Sequence, residues 1–396
     1  MFGASVAFVY VLTGITGNLA RTKKLPALYR IVSQLVRENR LGRCRIIGVG
    51  SRPKQIAEFR MLVYNACKEH VREFSEHFFS QVLWPLFQYH ALDLRDQAAY
   101  CRFREIAELA RGASRSARLV IDVSVLPELY QCFCEGFRGT LESFGPVDDL
   151  TTVLFEKPIG EDRRSAAELL KLMHQVFGAA HAKTWDHFLG KEGFRSMLQH
   201  RFSTLEIKRR WNSHHVRRIN LSITETNGLE GRVYFARTGI CRDMVCNHGA
   251  AYLSGLVMPE PRTHHPGDIQ AALLEGARSF VPVDPACCNL GYYVRNDESN
   301  LPGYPEELAG LGLDAQQLAR ALSLGTSFAG TLVSRAPAWR NSRYFRLPTG
   351  ITASGTGFSI EVIKRAPAAK KQVEVCFDRG KENLGMDRLV YHLEPG

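Results

Sequence analysis

The chain has 396 residues, of which 45% are hydrophobic and 23% are charged, and its formal net charge is +11. This length exceeds that of one ordinary domain and fits two, and the composition is typical of a globular protein with a substantial core. No apolar run reaches the roughly 18 residues that a membrane-spanning helix needs, so the sequence predicts no membrane span.

The positive charge raises the question of nucleic-acid binding. The basic residues are scattered, apart from small clusters at Lys208 and Lys370, and no motif interleaves basic with aromatic residues. An anionic small substrate, such as a phosphate ester or a dinucleotide, explains the excess equally well. We therefore expect no nucleic-acid partner and interpret most of these residues as a solvated surface.

The ten cysteines include no CxxC pair with a matching partner, so the sequence predicts no metal site. Reduced, mostly buried thiols are typical of cytoplasmic proteins, and we expect that location. The apolar segment 1–14 resembles a signal peptide, yet it lacks a basic first part, and a turn and a helical pattern follow it. We interpret it as a buried strand, with a signal peptide as the alternative.

The first half of the chain alternates predicted strands and helices. Helical periodicity separates the strands, for example in residues 25–36 and 165–177. This alternation predicts an N-terminal Rossmann-type domain, a doubly wound parallel sheet at residues 1–178. Mostly apolar runs typical of buried strands occupy residues 6–12, 44–50, 86–93, 118–125 and 151–158.

The segment TGITGNLA follows the first predicted strand, at the edge of the sheet where doubly wound folds bind their ligands. Gly14 permits a tight turn, Gly17 allows a pyrophosphate to approach the backbone, and Ala20 stands where dinucleotide-binding folds have a third small residue. The helix that follows offers N–H groups to phosphates. The pattern predicts dinucleotide binding, although many strand–helix turns also use glycine.

The second predicted strand ends in GVGSRPK, which has no acidic residue to accept the ribose hydroxyls of NAD. Arg52 and Lys54 are placed to meet a 2′-phosphate instead, and this favours NADP. An ordinary polar loop is the alternative interpretation, so NAD stays possible.

The second half of the chain has a different pattern, because the alternation of strands and helices fades after Phe177. Residues 219–235 have the pattern of a strand, a glycine-containing turn and another extended piece, and residues 358–366, 371–378 and 387–394 alternate with the strand period. We expect a second domain at residues 179–396, with a largely antiparallel sheet and helices. The segment TWDHFLGKE lies near the boundary, a position typical of substrate sites.

Six segments, in this order, resemble the glucose-6-phosphate dehydrogenase family: GITGNLARTKKLPALYRI, EKPIGEDRRSA, DHFLGKE, RFSTLEIKRRWN, ETNGLEGRVYF and GICRDMVCNH. The resemblance extends to about Pro261 and is thinner afterwards. DHFLGKE followed by RDMVCNH is highly specific, whereas inositol dehydrogenase-like oxidoreductases also have EKP after a Rossmann strand. The resemblance implies an enzyme that oxidises C1 of glucose 6-phosphate, gives the hydride to NADP or NAD and leaves a lactone.

By this resemblance, His248 is the general base for the C1 hydroxyl proton, a task that suits an imidazole titrating near neutral pH. Asp186 is implied to hydrogen-bond His248, fix its tautomer and stabilise the imidazolium. His187 and Lys191 are implied to hold the 6-phosphate as hydrogen-bond donors.

The resemblance also assigns further contacts to the substrate and the cofactor. Glu225 and Asp243 match carboxylates that accept sugar hydroxyls, which rejects analogues lacking those groups. Lys157 is implied to contact the reacting end of the sugar and the cofactor, and Lys23 to lie near the nicotinamide and the substrate. A plain surface salt bridge is the alternative for each of these four. The other implied cofactor-binding residues are Gly14, Gly17, Asn18, Leu19 and Arg52.

Several positions depart from the family pattern. Phe188 replaces a tyrosine that donates to the phosphate, a loss of about 1–3 kcal/mol if its partner stays buried. Asn18 replaces an aspartate, and Ser51 replaces the arginine that reads the 2′-phosphate. Pro348 and Ile351 replace an arginine and a phosphate-binding lysine, and the chain ends where a family member would continue. We expect a diverged, C-terminally shortened member with reduced affinity for glucose 6-phosphate or with a variant sugar phosphate as substrate.

Two rival functions stay open at this point. One is an inositol dehydrogenase-like enzyme in which Lys157 is the central catalyst. The other is a non-catalytic relative that binds only nucleotide or a true dehydrogenase. A sugar phosphate is the expected small-molecule partner, and because members of the family are commonly dimers or tetramers, a homo-oligomer is possible.

Overall fold

The computed structural model describes residues 5–112, 116–185, 189–282, 288–298, 300–339, 344–346, 352–354, 357–377 and 388–393. The chain divides into two compact units, Met1–Trp185 and Asp186–Gly396. The division lies later in the chain than the boundary expected after residue 178, because the strand Ala182–Trp185 pairs with the sheet of the first unit. Among the described helices, none has the length and apolar character needed to cross a membrane.

Unit 1 is built on a six-stranded sheet in which every pair of neighbours is parallel. Its strands are β1 (Val6–Thr13), β2 (Leu41–Gly50), β3 (Phe87–Ala91), β4 (Arg118–Val123), β5 (Thr151–Glu156) and β6 (Ala182–Trp185). The strand order is β3-β2-β1-β4-β5-β6, the order of a dinucleotide-binding doubly wound fold. The structure therefore confirms the predicted Rossmann-type sheet.

Strand β6 is a strand that the sequence pattern does not predict. Only Ala182 is buried in this strand, and its other three residues are exposed. The segment therefore lacks the apolar run that marks the five other strands. The segment is a strand because it pairs with β5, in a register that runs from Val153 opposite Ala182 to Glu156 opposite Trp185.

Helices cover both faces of the unit 1 sheet. Alternate residues of β1 enter different cores, so that Val9 and Val11 pack in one cluster and Leu12 in another. The α-helices are α1 (Leu25–Arg37), α2 (Ile56–His70), α3 (Glu76–Phe78), α4 (Ala99–Arg111), α5 (Tyr130–Arg138), α6 (Leu141–Phe144) and α7 (Arg163–Phe177). Two segments are π-helical, Ala20–Lys24 and Phe79–Leu83, and two are 3₁₀ helices, Trp84–Leu86 and Pro127–Leu129.

Unit 2 contains a mixed, mostly antiparallel sheet. Its strands are β7 (Val216–Thr224), β8 (Phe280–Pro282), β9 (Asn289–Gly291), β10 (Ser327–Ser334), β13 (Gly357–Ile363), β14 (Lys370–Phe377) and β15 (Arg388–His392), with a separate pair β11 (Tyr344–Arg346) and β12 (Thr352–Ser354). The order is β15-β14-β7-β13-β10-β8, and β9 also pairs with β10. Strands β7 and β13 are parallel, whereas the other described pairs are antiparallel. The prediction of a largely antiparallel sheet with helices is confirmed.

The prediction of an extended segment at the end of residues 219–235 is wrong. The strand part of residues 219–235 lies in β7, but its end enters the helix Val233–Ile240. Val, Tyr and Phe favour strands locally. Phe235 and Ile240 are buried in the unit 2 core on this helix, so tertiary packing overrides the local preference.

The helices of unit 2 surround one core that spans the sheet. They are α8 (Glu192–Ser203), α9 (Leu205–Arg210), α10 (Val233–Ile240), α11 (Ala250–Val257), α12 (Pro266–Ser279), α13 (Tyr304–Ala309) and α14 (Ala315–Leu324). A π-helical segment, Cys241–Gly249, joins α10 to α11, and Pro337–Trp339 is a 3₁₀ helix.

Gly239 makes a kink inside α10, two residues before the π-helical segment begins at Cys241. Its φ is +67°, a conformation that L side chains rarely adopt. A Cβ at this position would also lie 2.4 Å from the Cβ of Leu324. The direction in which the π-helical segment leaves α10 therefore depends on the absence of a side chain at residue 239.

We expect Gly239→Ala to lower the free energy of unfolding by about 3 kcal/mol, because backbone strain and a packing clash add. Gly312→Ala is the matched control, since Gly312 has the same φ of +67° but a Cβ added there would have no atom within 4 Å. It should cost about 1–2 kcal/mol. Urea unfolding followed by circular dichroism measures both, and equal losses would contradict the packing argument.

Candidate functional site

The turn after β1 has the geometry of a phosphate-binding loop. Gly14 has a φ of +65°, and a Cβ there would lie 2.1 Å from the carbonyl oxygen of Ser124. The N–H of Gly17 donates to the carbonyl oxygen of Gly14 at 2.8 Å and closes the turn. Ala20 is 1% exposed, so its small side chain allows close packing beneath the helix that follows.

The outer surface of this turn is accessible to a ligand. Gly17 and Asn18 are exposed, and Leu19 is half-buried. The first turn of a helix has N–H groups without partners within the helix, and these suit a pyrophosphate. The residues present therefore fit a dinucleotide, and a side chain at residue 14 would disturb the turn because it would clash with the backbone of Ser124.

Of the remaining predicted cofactor residues, Arg52 and Lys157 follow strands of the sheet and Lys23 lies in the π-helical segment. Arg52 follows β2 with an exposed side chain, and its carbonyl oxygen accepts a hydrogen bond from the hydroxyl of Tyr89 at 2.5 Å. Lys157 follows β5 directly, is half-buried, and its N–H donates to the carbonyl oxygen of Trp185 at 3.3 Å. The Lys157–Pro158 peptide is cis. Lys23 is exposed.

A buried ionic cluster next to this turn is a feature that the sequence motifs do not identify. The ammonium group of Lys24 lies 2.7 Å from one oxygen of Asp122, 2.9 Å from the other, and 3.3 Å from Glu156. The hydroxyls of Tyr10 and Ser124 also donate to Asp122. The side chains of Lys24, Asp122 and Glu156 are 10%, 2% and 7% exposed.

This cluster ties the start of the helical region to the ends of β4 and β5. Asp122 lies in β4, Glu156 ends β5, and Lys24 ends the π-helical segment that follows the glycine turn. Burial raises the pKa of Tyr10, and the nearby charge of Asp122 raises it further. Tyr10 therefore stays a neutral hydrogen-bond donor. An acid inside the apolar run RLVIDVSV is the sequence signal for this cluster.

In unit 2, Glu225 lies one residue beyond β7 and next to two lysines. The ammonium group of Lys364 donates to Glu225 Oε2 at 2.7 Å, and that of Lys371 lies 3.8 Å from Glu225 Oε1. Burial acts to raise the pKa of Glu225, but Lys364, Lys371 and Arg232 together hold it below its ordinary value. Glu225 is therefore a carboxylate at neutral pH.

Asp243 and His248 lie five residues apart in the π-helical segment, where an i to i+5 spacing returns to nearly the same face. His248 is 8% exposed and Asp243 is half-buried. Burial raises the pKa of Asp243, while Lys364, His248 and Arg232 act in the opposite direction. These interactions place both carboxylates and the imidazole in one electrostatic cluster of unit 2.

Lys191 is half-buried and is the N-cap residue of α8. Two other predicted site residues, Asp186 and His187, lie outside the described residues, as do the substitutions at Phe188 and Ile351. The implied hydrogen bond between Asp186 and His248 therefore stays a prediction.

Family models match most of the chain. The model of the glucose-6-phosphate dehydrogenase NAD binding domain matches residues 11–195, and that of the glucose-6-phosphate dehydrogenase C-terminal domain matches residues 198–312. The chain belongs to the glucose-6-phosphate dehydrogenase family. The predicted family resemblance is thus confirmed over both units.

Relatives with this family name match nearly the full chain. Glucose-6-phosphate 1-dehydrogenase 2 of Mycobacterium tuberculosis is 28% identical over 97% of this chain and 73% of its own length. Glucose-6-phosphate 1-dehydrogenase of Rhizobium meliloti is 26% identical over 98% of this chain and 75% of its own length. That of Leuconostoc mesenteroides is 25% identical over 95% and 72%.

Solved structures of family members share the fold. A glucose-6-phosphate dehydrogenase in complex with its substrate glucose-6-phosphate has a TM-score of 0.78 and 21% identity, over 99% of this chain and 76% of that chain. Glucose-6-phosphate 1-dehydrogenase from Mycobacterium avium has a TM-score of 0.72 and 22% identity, over 98% and 78%. The family fold is therefore preserved despite low sequence identity.

We expect Lys24→Met to lower the free energy of unfolding by about 3–5 kcal/mol, because it removes the cation that lies 2.7 Å from the buried carboxylate of Asp122. Lys23→Met, at the exposed neighbouring position, should change it by less than about 0.5 kcal/mol. Adding Asp122→Asn to Lys24→Met should restore part of the loss, since an amide needs no counter-ion. Urea unfolding measures all three variants, and equal effects of the two lysine substitutions would contradict the assignment.

Proposed function

We propose that this chain oxidises C1 of a hexose 6-phosphate, glucose 6-phosphate first, to the lactone with NADP as the preferred cofactor. The observation that carries this proposal is the unit 2 cluster of Asp243, His248 and Glu225, which combines a base with two acceptors for sugar hydroxyls. Family membership and the glycine turn of unit 1 support the cofactor assignment.

His248 is the proposed general base. Its imidazole takes the proton from the C1 hydroxyl as the hydride leaves C1, and imidazole basicity near neutral pH suits this transfer. Asp186 is proposed to orient the ring and stabilise the imidazolium. When bound, the oxidised nicotinamide supplies the hydride acceptor.

We assign binding specificity to protein side chains that contact the sugar hydroxyls, the reacting end of the sugar and its 6-phosphate. Glu225 and Asp243 are proposed to accept hydroxyl hydrogen bonds, and an analogue without these hydroxyls would not supply those donors to the two carboxylates. His187 and Lys191 are proposed to bind the 6-phosphate, and Lys157 the reacting end of the sugar. A variant sugar phosphate is the alternative substrate, motivated by Phe188 and Ile351.

In unit 1, the proposed cofactor-binding residues are four residues of the glycine turn, two lysines and one arginine: Gly14, Gly17, Asn18, Leu19, Lys23, Lys157 and Arg52. A cytoplasmic location and a homodimer or homotetramer belong to the same proposal. Size-exclusion chromatography with light scattering measures the assembly.

We expect purified protein to reduce NADP with glucose 6-phosphate, and His248→Asn to lower kcat by about 100- to 10,000-fold through loss of the base. His214→Asn is the matched control, because His214 is an exposed histidine of the same unit. Absorbance of the reduced cofactor measures turnover on a panel of hexose and aminohexose phosphates. Activity that survives His248→Asn but is abolished by Lys157→Ala would favour the inositol dehydrogenase-like mechanism, and silence on the whole panel would contradict the proposal.

We expect Arg52→Ala to raise KM for NADP about tenfold or more while changing KM for NAD by less than about twofold, because a charge-assisted contact to the 2′-phosphate is lost. Arg72→Ala, at an exposed arginine of the same unit, is the control. Steady-state kinetics with both cofactors measures the ratio. An equal change for the two cofactors would remove Arg52 from 2′-phosphate recognition.

A further inference from the structure

A buried lysine, Lys364, binds the carboxylate of Glu225 in the candidate sugar site. The side chain of Lys364 is 2% exposed, and its ammonium group donates to Glu225 Oε2 at 2.7 Å. The same ammonium group lies 5.2 Å from the ring centre of Phe235. An ammonium group with so little exposure cannot contact a substrate, so it acts through the carboxylate that it binds.

The sheet itself brings these two residues together. Parallel pairing of β7 with β13 places Thr224 opposite Ile363. Glu225 continues this ladder by donating its N–H to the carbonyl oxygen of Ile363 at 2.9 Å, and Ala366 donates to the carbonyl oxygen of Glu225 at 2.8 Å. Backbone hydrogen bonds therefore fix Glu225 beside Lys364 independently of their charges.

The two oxygens of Glu225 have different surroundings. Oε2 accepts from Lys364, whereas the ammonium group of Lys371 is 3.8 Å from Oε1, too far for a hydrogen bond. Within the described part of the chain, Oε1 has no hydrogen-bond donor. The Glu225 side chain is 25% exposed, so a ligand can reach the carboxylate although it cannot reach Lys364.

We infer that Lys364 is a positioning residue of the sugar site, which turns Glu225 and keeps it ionised so that Oε1 accepts a substrate hydroxyl. This role rests on the proposed function of Glu225. Lys364 thereby determines how well the site discriminates sugars with a hydroxyl at the position that faces Oε1.

The charges around Glu225 explain why Lys364 is needed. Burial is the largest influence on the pKa of Glu225 and acts to raise it, and Lys364 is the strongest of the opposing groups. Lys371 and Arg232 oppose burial more weakly. Without Lys364, Glu225 should bind a proton at a higher pH and lose its fixed orientation.

Asp243 and His248 also belong to the charged surroundings of this site. Lys364 opposes the rise in the pKa of Asp243 as well, so its removal also favours protonation of Asp243. The imidazole of His248 is present in the wild type and in every variant. A comparison between proteins at each pH therefore separates the effect of Lys364 from that of the imidazole.

The test is a cycle of Lys364→Met, Glu225→Gln and the double variant, studied by steady-state kinetics and by calorimetric titration with glucose 6-phosphate. Lys364→Met should raise KM for the sugar phosphate about tenfold or more, and more at pH 6 than at pH 8, with KM for the cofactor changed by less than about twofold. In the Glu225→Gln background the same substitution should add less than about twofold, because its target is already neutral. Lys364→Arg should restore part of the binding.

Lys370→Met is the matched control, because Lys370 lies on the same strand as Lys371 with an exposed side chain. An unchanged KM in Lys364→Met, or equal effects of this substitution with and without Glu225, would overturn the inference while leaving the proposed function intact. A wild type that neither binds nor oxidises any hexose phosphate overturns the proposed function and the inference together. If Lys364→Met does not fold, the double variant, in which neither residue carries a charge, is compared with Glu225→Gln, and a KM for the sugar phosphate that differs between them by more than about twofold would overturn the inference.

Discussion

A buried ammonium group must have a carboxylate partner, and this constraint shapes the candidate site in both units. In unit 1, Lys24 binds Asp122 and Glu156 at the ends of parallel strands β4 and β5. In unit 2, Lys364 binds Glu225 at the end of the parallel pair β7 and β13. Each pair fixes a chain segment that the proposed chemistry uses: the helix after the glycine turn in unit 1, and a sugar-binding carboxylate in unit 2.

Much of the fold is accessible from the sequence because apolar runs and period-two alternation are local signals. They locate five strands of unit 1 and the three C-terminal strands β13, β14 and β15. Local signals fail where long-range pairing decides. Ala182–Trp185 is a strand because β5 lies beside it, and Val233–Ile240 is a helix because the core of unit 2 accepts its apolar face.

In the candidate site as well, local sequence signals identify some residues and long-range pairing brings in others. Family motifs identify Glu225, Asp243 and His248, which the structure places in one cluster. They do not identify Lys364, which is 139 residues from Glu225 along the chain and reaches it only through the parallel register of two strands. Motifs are short and contiguous, whereas the groups that set the charge state of a buried carboxylate come from any element packed against it.

In the π-helical segment Cys241–Gly249, the backbone turn decides whether the proposed base and an acid lie on the same side. In an ordinary α-helix, each residue turns by about 100°, so residues five apart point about 140° away from each other. The wider turn returns Asp243 and His248 to one side. If this segment were ordinary α-helix with all of its residues retained, the imidazole would turn away from the acid. Deletion of one residue between the two would bring them back to one face at a spacing of four residues. The backbone turn and the number of residues between Asp243 and His248 are therefore linked, and a change in one requires a change in the other.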